Sequence, residues 1–189
     1  MQIKIPEKRM DAYELLDLLE KKYGFVVKPP INVDEIASML GITVIEDIDI
    51  NHLGDTGYIK VENGKPIIWI NSLDNMNPYR RRFTLAHELG HFCLHILPNK
   101  KDGMFIDTDE TLSRNAYWDI KELQANKFAA NLLMPVRLIE NIGTEFIKKY
   151  HEKYGQYPTV SEFIESMSNV FEVSKQAMTY RLRNLGIIK

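Results

Sequence analysis

The stretch RFTLAHELGH, residues 82–91, contains two histidines four residues apart, with a glutamate directly after the first. On an α-helix, residues four apart lie on one face, so His87 and His91 point in the same direction. Two imidazoles in this arrangement can bind one Zn²⁺ ion. Glu88 is then positioned to take a proton from water at the metal and to pass it to the leaving amine of a peptide. The alternative interpretation is a pair of hydrogen-bonded helix histidines beside an exposed glutamate.

The apolar residues around this motif favour the metal. They lie on several sides of the helix and are Phe83, Leu85, Ala86, Leu89, Phe92 and Leu94. Such a helix is expected to be buried, and buried imidazoles and carboxylates are costly unless they are paired. A metal ion provides that partner.

A catalytic zinc takes a third protein ligand and leaves one position open. The candidates that follow the motif are His95, Asp109, Glu110, Asp119 and Glu122. A straight helix places His95 about 12 Å along its axis from His87, too far for both to reach one ion. We therefore expect His95 at the surface or behind the ligands. Glu122 fits better, because small residues on its helix face would let two helices approach closely. These small residues are Ala125, Asn126 and Ala129.

Composition limits the class of protein. The chain has 189 residues, a net charge of -2 and a single cysteine, Cys93. It can bury a substantial core, gives no global reason to expect nucleic acid or anionic membrane as the main partner, and cannot form an internal disulfide. The N-terminus lacks the pattern of a secretory leader, and no apolar run is long enough to cross a bilayer. We expect a cytoplasmic protein.

Periodicity predicts an α+β fold with a small sheet and a mostly helical remainder. Helices are predicted at residues 11–23, 78–97, 115–134 and 136–150. Three more are predicted from a cap at Asn32 or Asp34 to residue 40, from a cap at Thr159 or Ser161 to residue 171, and from a cap at Ser174 to residue 184. Strands are predicted at 42–46, 58–61 and 66–70, with a tight hairpin at Asn63-Gly64, and residues 100–111 are expected to be irregular. We expect a metal-binding unit over residues 1–150 and a C-terminal helical segment over 151–189.

The two motif helices resemble one known family. RFTLAHELGH, followed by ELQANKFAANLLMP at residues 122–135, is similar to the ImmA/IrrE family of metallopeptidases. The resemblance implies a zincin-like core with His87, His91 and Glu122 as zinc ligands and Glu88 as the general acid/base. It also implies an endopeptidase whose substrate is a helix-turn-helix repressor of a mobile element or stress regulon. Many family members carry an acidic residue where this chain has Gln124.

Several other residues have competing interpretations. Tyr58, Tyr117 and Tyr180 are candidates to stabilise the oxyanion of a tetrahedral intermediate, and nothing in the sequence selects one of them. Cys93 is expected to be a core thiol, and His52 and His151 are expected at the surface. The three arginines at residues 80–82 are expected at a solvated helix start, paired or stacked.

The C-terminal segment supports a second class of function. Residues 161–185 have the outline of a helix-turn-helix, and the last helix, 174–184, carries three cations and no acid. DNA binding through this helix is therefore conceivable, although Glu162, Glu165 and Glu172 nearly cancel the local charge. The alternative to a peptidase is a non-catalytic, metal-containing regulator that binds a repressor or DNA. The complete His-Glu-x-x-His set favours the peptidase, because a structural metal has no use for Glu88.

Overall fold

A computed structural model describes residue 3 and residues 6–49, 54–98, 103–108 and 116–189 of the chain. The helices in these ranges are α1 (Ala12–Tyr23), α2 (Val33–Met39), α3 (Pro78–His91), α4 (Ala116–Leu133), α5 (Val136–Tyr154), α6 (Val160–Phe171) and α7 (Lys175–Asn184). The strands are β1 (Thr43–Asp47), β2 (Asp55–Glu62), β3 (Lys65–Asn71) and β4 (Gly103–Thr108). This composition confirms the predicted α+β class. None of the helices in the described ranges has the length and apolar character needed to cross a bilayer.

The helix ends follow local capping chemistry. Asp11 and Glu14 form a capping box at the start of α1, and Thr159 and Glu162 form another at the start of α6. Asn77 accepts hydrogen bonds from backbone N–H groups of the first turn of α3, where Pro78 occupies the first position. These side chains satisfy donors that a helix start otherwise leaves unpaired. The sequence therefore locates most helix starts within a residue or two.

The sheet has four strands in the order β1-β3-β2-β4. β1 runs parallel to β3, while β2 is antiparallel to both β3 and β4. The predicted hairpin joins β2 to β3 through Asn63 and Gly64, both with positive φ. The prediction that residues 100–111 are irregular is wrong for Gly103–Thr108, which form β4. β4 is an edge strand whose backbone pairs with that of β2. Because this pairing joins residues distant in the sequence, a short segment flanked by polar residues carries no clear strand pattern of its own.

Helix α3 lies between the sheet and α4, and its second half is buried on every side, from Thr84 to His91. It ends in a π-helical turn, Phe92–Ile96, where a regular helix had been expected to continue to residue 97. Gly90 allows the contact with α4, since a Cβ atom there would lie 3.1 Å from both Ala125 Cα and Phe128 Cβ. This close approach determines which residues of α4 face the histidines.

The C-terminal helices pack into the same apolar core. Phe163, Met167 and Phe171 of α6, with Met178 and Leu182 of α7, belong to one cluster with buried residues of α1–α4. The predicted boundary at residue 150 falls inside α5, which continues to Tyr154. The division into two units stays a prediction.

Polar contacts also hold α7 against the helical core. The buried Arg181 donates from Nε to the Met134 carbonyl at 3.0 Å and from Nη2 to the Tyr13 hydroxyl at 3.0 Å. Arg82 of α3 donates to the Ile31 carbonyl at 3.1 Å and lies 3.8 Å from the Glu172 carboxylate, at the turn between α6 and α7. The expectation of a wholly solvated arginine cluster is therefore wrong for Arg82, whose side chain is mostly buried. Arg81, however, is paired as expected, with Asp34 and Glu46.

We expect Gly90→Val to lower the free energy of unfolding by about 1–3 kcal/mol, because the added side chain overlaps Ala125 and Phe128. Urea denaturation in the presence of a chelator measures this effect without a contribution from metal binding. Gly54→Ala is the matched control: a Cβ there meets nothing within 4 Å, so a change within about 0.5 kcal/mol is expected. Equal midpoints for Gly90→Val and the unmodified protein would show that α3 and α4 do not need this close contact.

Candidate metal centre

Three side chains from α3 and α4 converge at the centre of the molecule. His87 Nε2 lies 3.0 Å from Glu122 Oε2, and His91 Nε2 lies 3.1 Å from Glu122 Oε1. The two ring nitrogens His87 Nε2 and His91 Nε2 are 3.0 Å apart. All three residues are buried, and among the described residues they form the one group of histidine, cysteine and acidic residues with metal-binding spacing.

These distances suit a small divalent cation. Ligand atoms about 2.0–2.1 Å from a tetrahedral zinc ion are separated from one another by roughly 3.3 Å. The three donor pairs here lie at 3.0–3.1 Å, so a modest opening of the cluster would accommodate the ion. Two imidazole nitrogens that face each other repel if both present lone pairs, and a shared cation removes that repulsion. Two imidazoles and a carboxylate therefore fit a zinc-type ion with one position left open.

The orientation of His87 is set from α4. Asn126 lies one turn after Glu122 on the same helix face, and its Oδ1 lies 3.1 Å from His87 Nδ1. An amide oxygen only accepts, so this contact places a proton on Nδ1, and in the neutral ring the Nε2 lone pair is then directed at the cluster. Sequence reasoning had counted Asn126 only as a small residue. Its i+4 spacing from Glu122 is the signal that it faces the same cluster.

The charge state of Glu122 suits a metal ligand. Burial raises the pKa of its carboxyl, but hydrogen bonds and charge interactions with His87 and His91 outweigh burial and lower the pKa to about 2. Glu122 is therefore anionic at neutral pH, the form in which a carboxylate coordinates metal ions.

Glu88 is buried beside this cluster, at 1% exposure, and faces strand β2. A Cβ atom added at Gly57 of β2 would lie 3.5 Å from Glu88 Oε1 and only 2.8 Å from Thr84 Cγ2. Only glycine leaves the strand this close to the carboxylate. Glu88, His87 and Glu122 share a cavity of about 130 Å³ with Thr84, Thr56, Phe83 and Asn126, which has room for a few water molecules.

The buried side-chain amide of Asn75 connects β2 to α3. Asn75 donates to the Thr56 carbonyl and to the Asn71 carbonyl, both at 2.8 Å, and accepts from the Thr84 hydroxyl at 2.7 Å. This bridge connects the strand next to Gly57 with the helix that carries His87 and Glu88. Neither Asn75 nor Gly57 was identified from the sequence, because a single glycine or asparagine near a turn carries no specific signal.

Of the other candidates for the third ligand, only His95 has a described side chain. His95 lies on the π-helical turn with its ring centre 5.6 Å from that of His91, and it is not part of the converging group. It is buried and not at the surface, and burial lowers its pKa to about 4, with the His91 and Lys121 charges adding to the effect. Asp109 and Glu110 lie outside the described residues, and so does the side chain of Asp119.

The structure distinguishes between the tyrosines considered as stabilisers of the oxyanion. Tyr58 stacks on Trp69, with ring centres 5.1 Å apart, and its β2 neighbour Gly57 contacts α3. Because successive strand residues face opposite sides of a sheet, Tyr58 points away from Glu88. Tyr180 of α7 is largely exposed and lines a larger cavity next to the metal centre. The side chain of Tyr117 lies outside the described residues.

Of the three remaining predictions, two concern described residues, and both are confirmed. Cys93 is a core thiol as expected, and burial raises its pKa to about 12. His151 is exposed and stacks on Tyr157. His52 lies outside the described residues.

Known proteins resemble this chain to different extents. The radiation response metalloprotease IrrE of Deinococcus deserti is 36% identical over 80 residues, which are 42% of this chain and 26% of that protein. The match thus spans about a quarter of the relative's length. Among solved structures, a Mycobacterium tuberculosis transcriptional regulator aligns with 90% of this chain and 40% of its own, at 17% identity and a TM-score of 0.44.

A family model described as the IrrE N-terminal-like domain matches residues 37–183. The matched range begins in α2, includes the sheet and both helices of the metal centre, and ends in α7. Because the match covers most of the chain, this protein belongs to the IrrE N-terminal-like family of metallopeptidases.

Proposed function

We propose that this chain is a zinc-dependent endopeptidase with His87, His91 and Glu122 as metal ligands and Glu88 as the general acid/base. The convergence of two imidazoles and one carboxylate beside a second, buried carboxylate carries the proposal. A purely structural metal would be expected to have a closed ligand set and no neighbouring base. The membership of a metallopeptidase family supports the same chemistry.

The chain's own residues divide the reaction between them. When bound, zinc supplies Lewis acidity that polarises a carbonyl group and makes water acidic enough to attack near neutral pH. Glu88 accepts a proton from the attacking water at one Oε atom as the new C–O bond forms. Glu88 then delivers this proton to the amide nitrogen as the C–N bond breaks. Asn126 keeps the His87 ring oriented throughout.

We further propose that the substrate is a helix-turn-helix repressor of a mobile element or stress regulon. The support is the resemblance of the two motif helices to the ImmA/IrrE peptidases, together with the partial match to a relative named for a radiation response. The competing function is a non-catalytic regulator that binds a repressor or DNA. It is favoured by the paired helices α6 and α7, and it needs neither Glu88 nor cleavage.

For the ligand set, we expect Glu122→Ala to lose most of the bound zinc, since removing one of three protein ligands leaves two imidazoles to hold the ion. Elemental analysis after dialysis against a weak chelator measures the occupancy. Glu140→Ala, an exposed carboxylate on α5, is the control and is expected to keep full occupancy. Full zinc content in Glu122→Ala would move the third ligand to another residue.

For the orienting residue, we expect Asn126→Ala to weaken zinc affinity about 10–100-fold, as loss of a group that orients a metal-bound histidine typically does. Asn126→Asp retains an acceptor for His87 Nδ1 and is expected to bind close to the original strength. Competition with a fluorescent zinc chelator gives both affinities. Equal affinity of all three proteins would show that the contact with His87 has no effect on metal binding.

For the chemistry, we expect Glu88→Gln to retain zinc and to lower the rate of cleavage at least about hundredfold, because glutamine cannot accept the proton. The assay incubates the zinc-loaded protein with the repressor encoded nearest to its gene, with and without chelator, and identifies the products by mass spectrometry. Glu140→Gln serves as the control.

If Glu88→Gln inactivated the repressor as well as the unmodified protein does, the peptidase would be ruled out in favour of the regulator. If cleavage occurred but only with other proteins, the enzyme would stand and the repressor would be excluded as its substrate.

A further inference from the structure

A second, larger cavity lies between α3, α4 and α7. Its volume is about 710 Å³, within the range of pockets that hold small molecules or several side chains. Tyr79 and Arg80 line it from α3, Ala130 and Leu133 from α4, and Ala177 and Tyr180 from α7. The helix that resembles a DNA-recognition helix therefore forms one wall of a pocket in the peptidase.

This cavity adjoins the metal centre. Phe83 and Asn126 line both the large cavity and the small one that contains His87, Glu88 and Glu122. Asn126 is itself in contact with the His87 ring. A chain segment seated in the large cavity would therefore contact side chains that also line the cavity of the metal ligands.

The lining chemistry indicates what the cavity would bind. Its inner surface is apolar, with Ala130, Leu133, Met134, Val173 and Ala177. Two partly exposed aromatic rings, Tyr79 at 39% and Tyr180 at 58%, also line it. Aromatic rings beside an apolar pocket are typical of sites that anchor a bulky apolar side chain of a partner.

The charges in the cavity favour an anion. Two arginines and no carboxylate of the described residues line it. Arg181 is committed to the Met134 carbonyl and the Tyr13 hydroxyl, whereas the exposed Arg80 guanidinium has no carboxylate partner among the described residues. Arg80 is therefore available to an acidic group of a bound segment.

The same contacts argue against DNA on α7. Of its three cations, Lys175 pairs with Glu165 at 2.6 Å and Arg181 is buried against α4. Within the described chain, Arg183 is the cation of this helix that is exposed and has no ion pair. Phosphate contacts supply most of the affinity for DNA and need several free cations on one surface.

We propose that the α3–α4–α7 cavity binds an extended segment of the protein substrate beside the scissile bond. In this segment a bulky apolar side chain occupies the cavity and a nearby acidic residue pairs with Arg80. The C-terminal helix α7 then determines peptide specificity. This inference rests on the proposed peptidase function.

Cleavage profiling of a proteome-derived peptide library tests the proposal, because an extended segment does not need a folded substrate. The zinc-loaded full chain is incubated with the library, and new termini are identified by mass spectrometry. We expect cut sites enriched in leucine, methionine or phenylalanine at one fixed position, with aspartate or glutamate nearby. Cleavage should be absent with Glu88→Gln.

Two variants address the cavity directly. Ala177→Trp fills it and is expected to lower kcat/KM for the preferred peptides about tenfold or more and to abolish the preference for bulky residues. Arg80→Glu is expected to replace the preference for acidic residues with one for basic residues. Matched controls on α7 outside the cavity are Lys175→Trp and Arg183→Glu, which should retain the original profile. Circular dichroism and zinc content verify that each variant is folded and loaded.

The outcomes separate the two proposals. No cleavage of either the library or the repressor above the Glu88→Gln level would overturn the peptidase function, and the inference with it. Cleavage of the repressor without cleavage of the library would overturn the inference alone. Cleavage that depends on Glu88 but is unchanged in Ala177→Trp and Arg80→Glu would overturn the inference alone. DNA binding abolished by Arg183→Glu, with an unchanged profile in Ala177→Trp, would assign α7 to DNA. A dimer dissociated by Ala177→Trp would assign the cavity to a second copy of the chain.

Discussion

The close packing of α3 against α4 is the constraint on which the metal centre depends. Gly90 brings the two backbones together at Ala125; Gly90 lies next to His91 and about one turn after His87, and Ala125 lies about one turn after Glu122. A side chain at Gly90 would press on Ala125 and Phe128 and would displace α4 relative to the histidines. The same contact aligns Asn126 with the far nitrogen of His87. The spacing of the three donor atoms is thus a consequence of helix packing.

The sheet contributes the other half of the site. Gly57 brings β2 against the face of α3 that carries Glu88, and the buried side chain of Asn75 joins the strand to Thr84 by hydrogen bonds. Buried networks of this kind are costly when incomplete, so they hold one arrangement of strand and helix. The consequence is that Glu88 lies in a narrow space with room for little more than a few water molecules. Such a space limits access to the Glu88 carboxylate and keeps bulk solvent away from it.

The C-terminal helices illustrate how the charge of a sequence segment differs from the charge that its folded surface presents. α6 and α7 have the lengths and the short turn of a helix-turn-helix, and their sequence carries cations in the final helix. In the folded protein, however, Arg181 is turned inward to hydrogen bond with α4 and α1. Charge counted along a sequence says nothing about which guanidinium groups remain in solvent. Tertiary packing converts part of a basic helix into the wall of a cavity.

The sequence alone determined the helices, their caps, the β2–β3 hairpin and the pairing of His87 with His91, because these depend on residues a few positions apart. It also indicated Glu122, through the small residues that follow on its face. Only the tertiary structure decided that β4 is a strand, that Tyr58 points away from Glu88, and that Gly57, Asn75 and Asn126 surround the site. Except for the i+4 spacing of Asn126 from Glu122, no local spacing encodes those features, because they arise from contacts between residues distant in the chain that packing and backbone hydrogen bonding bring together.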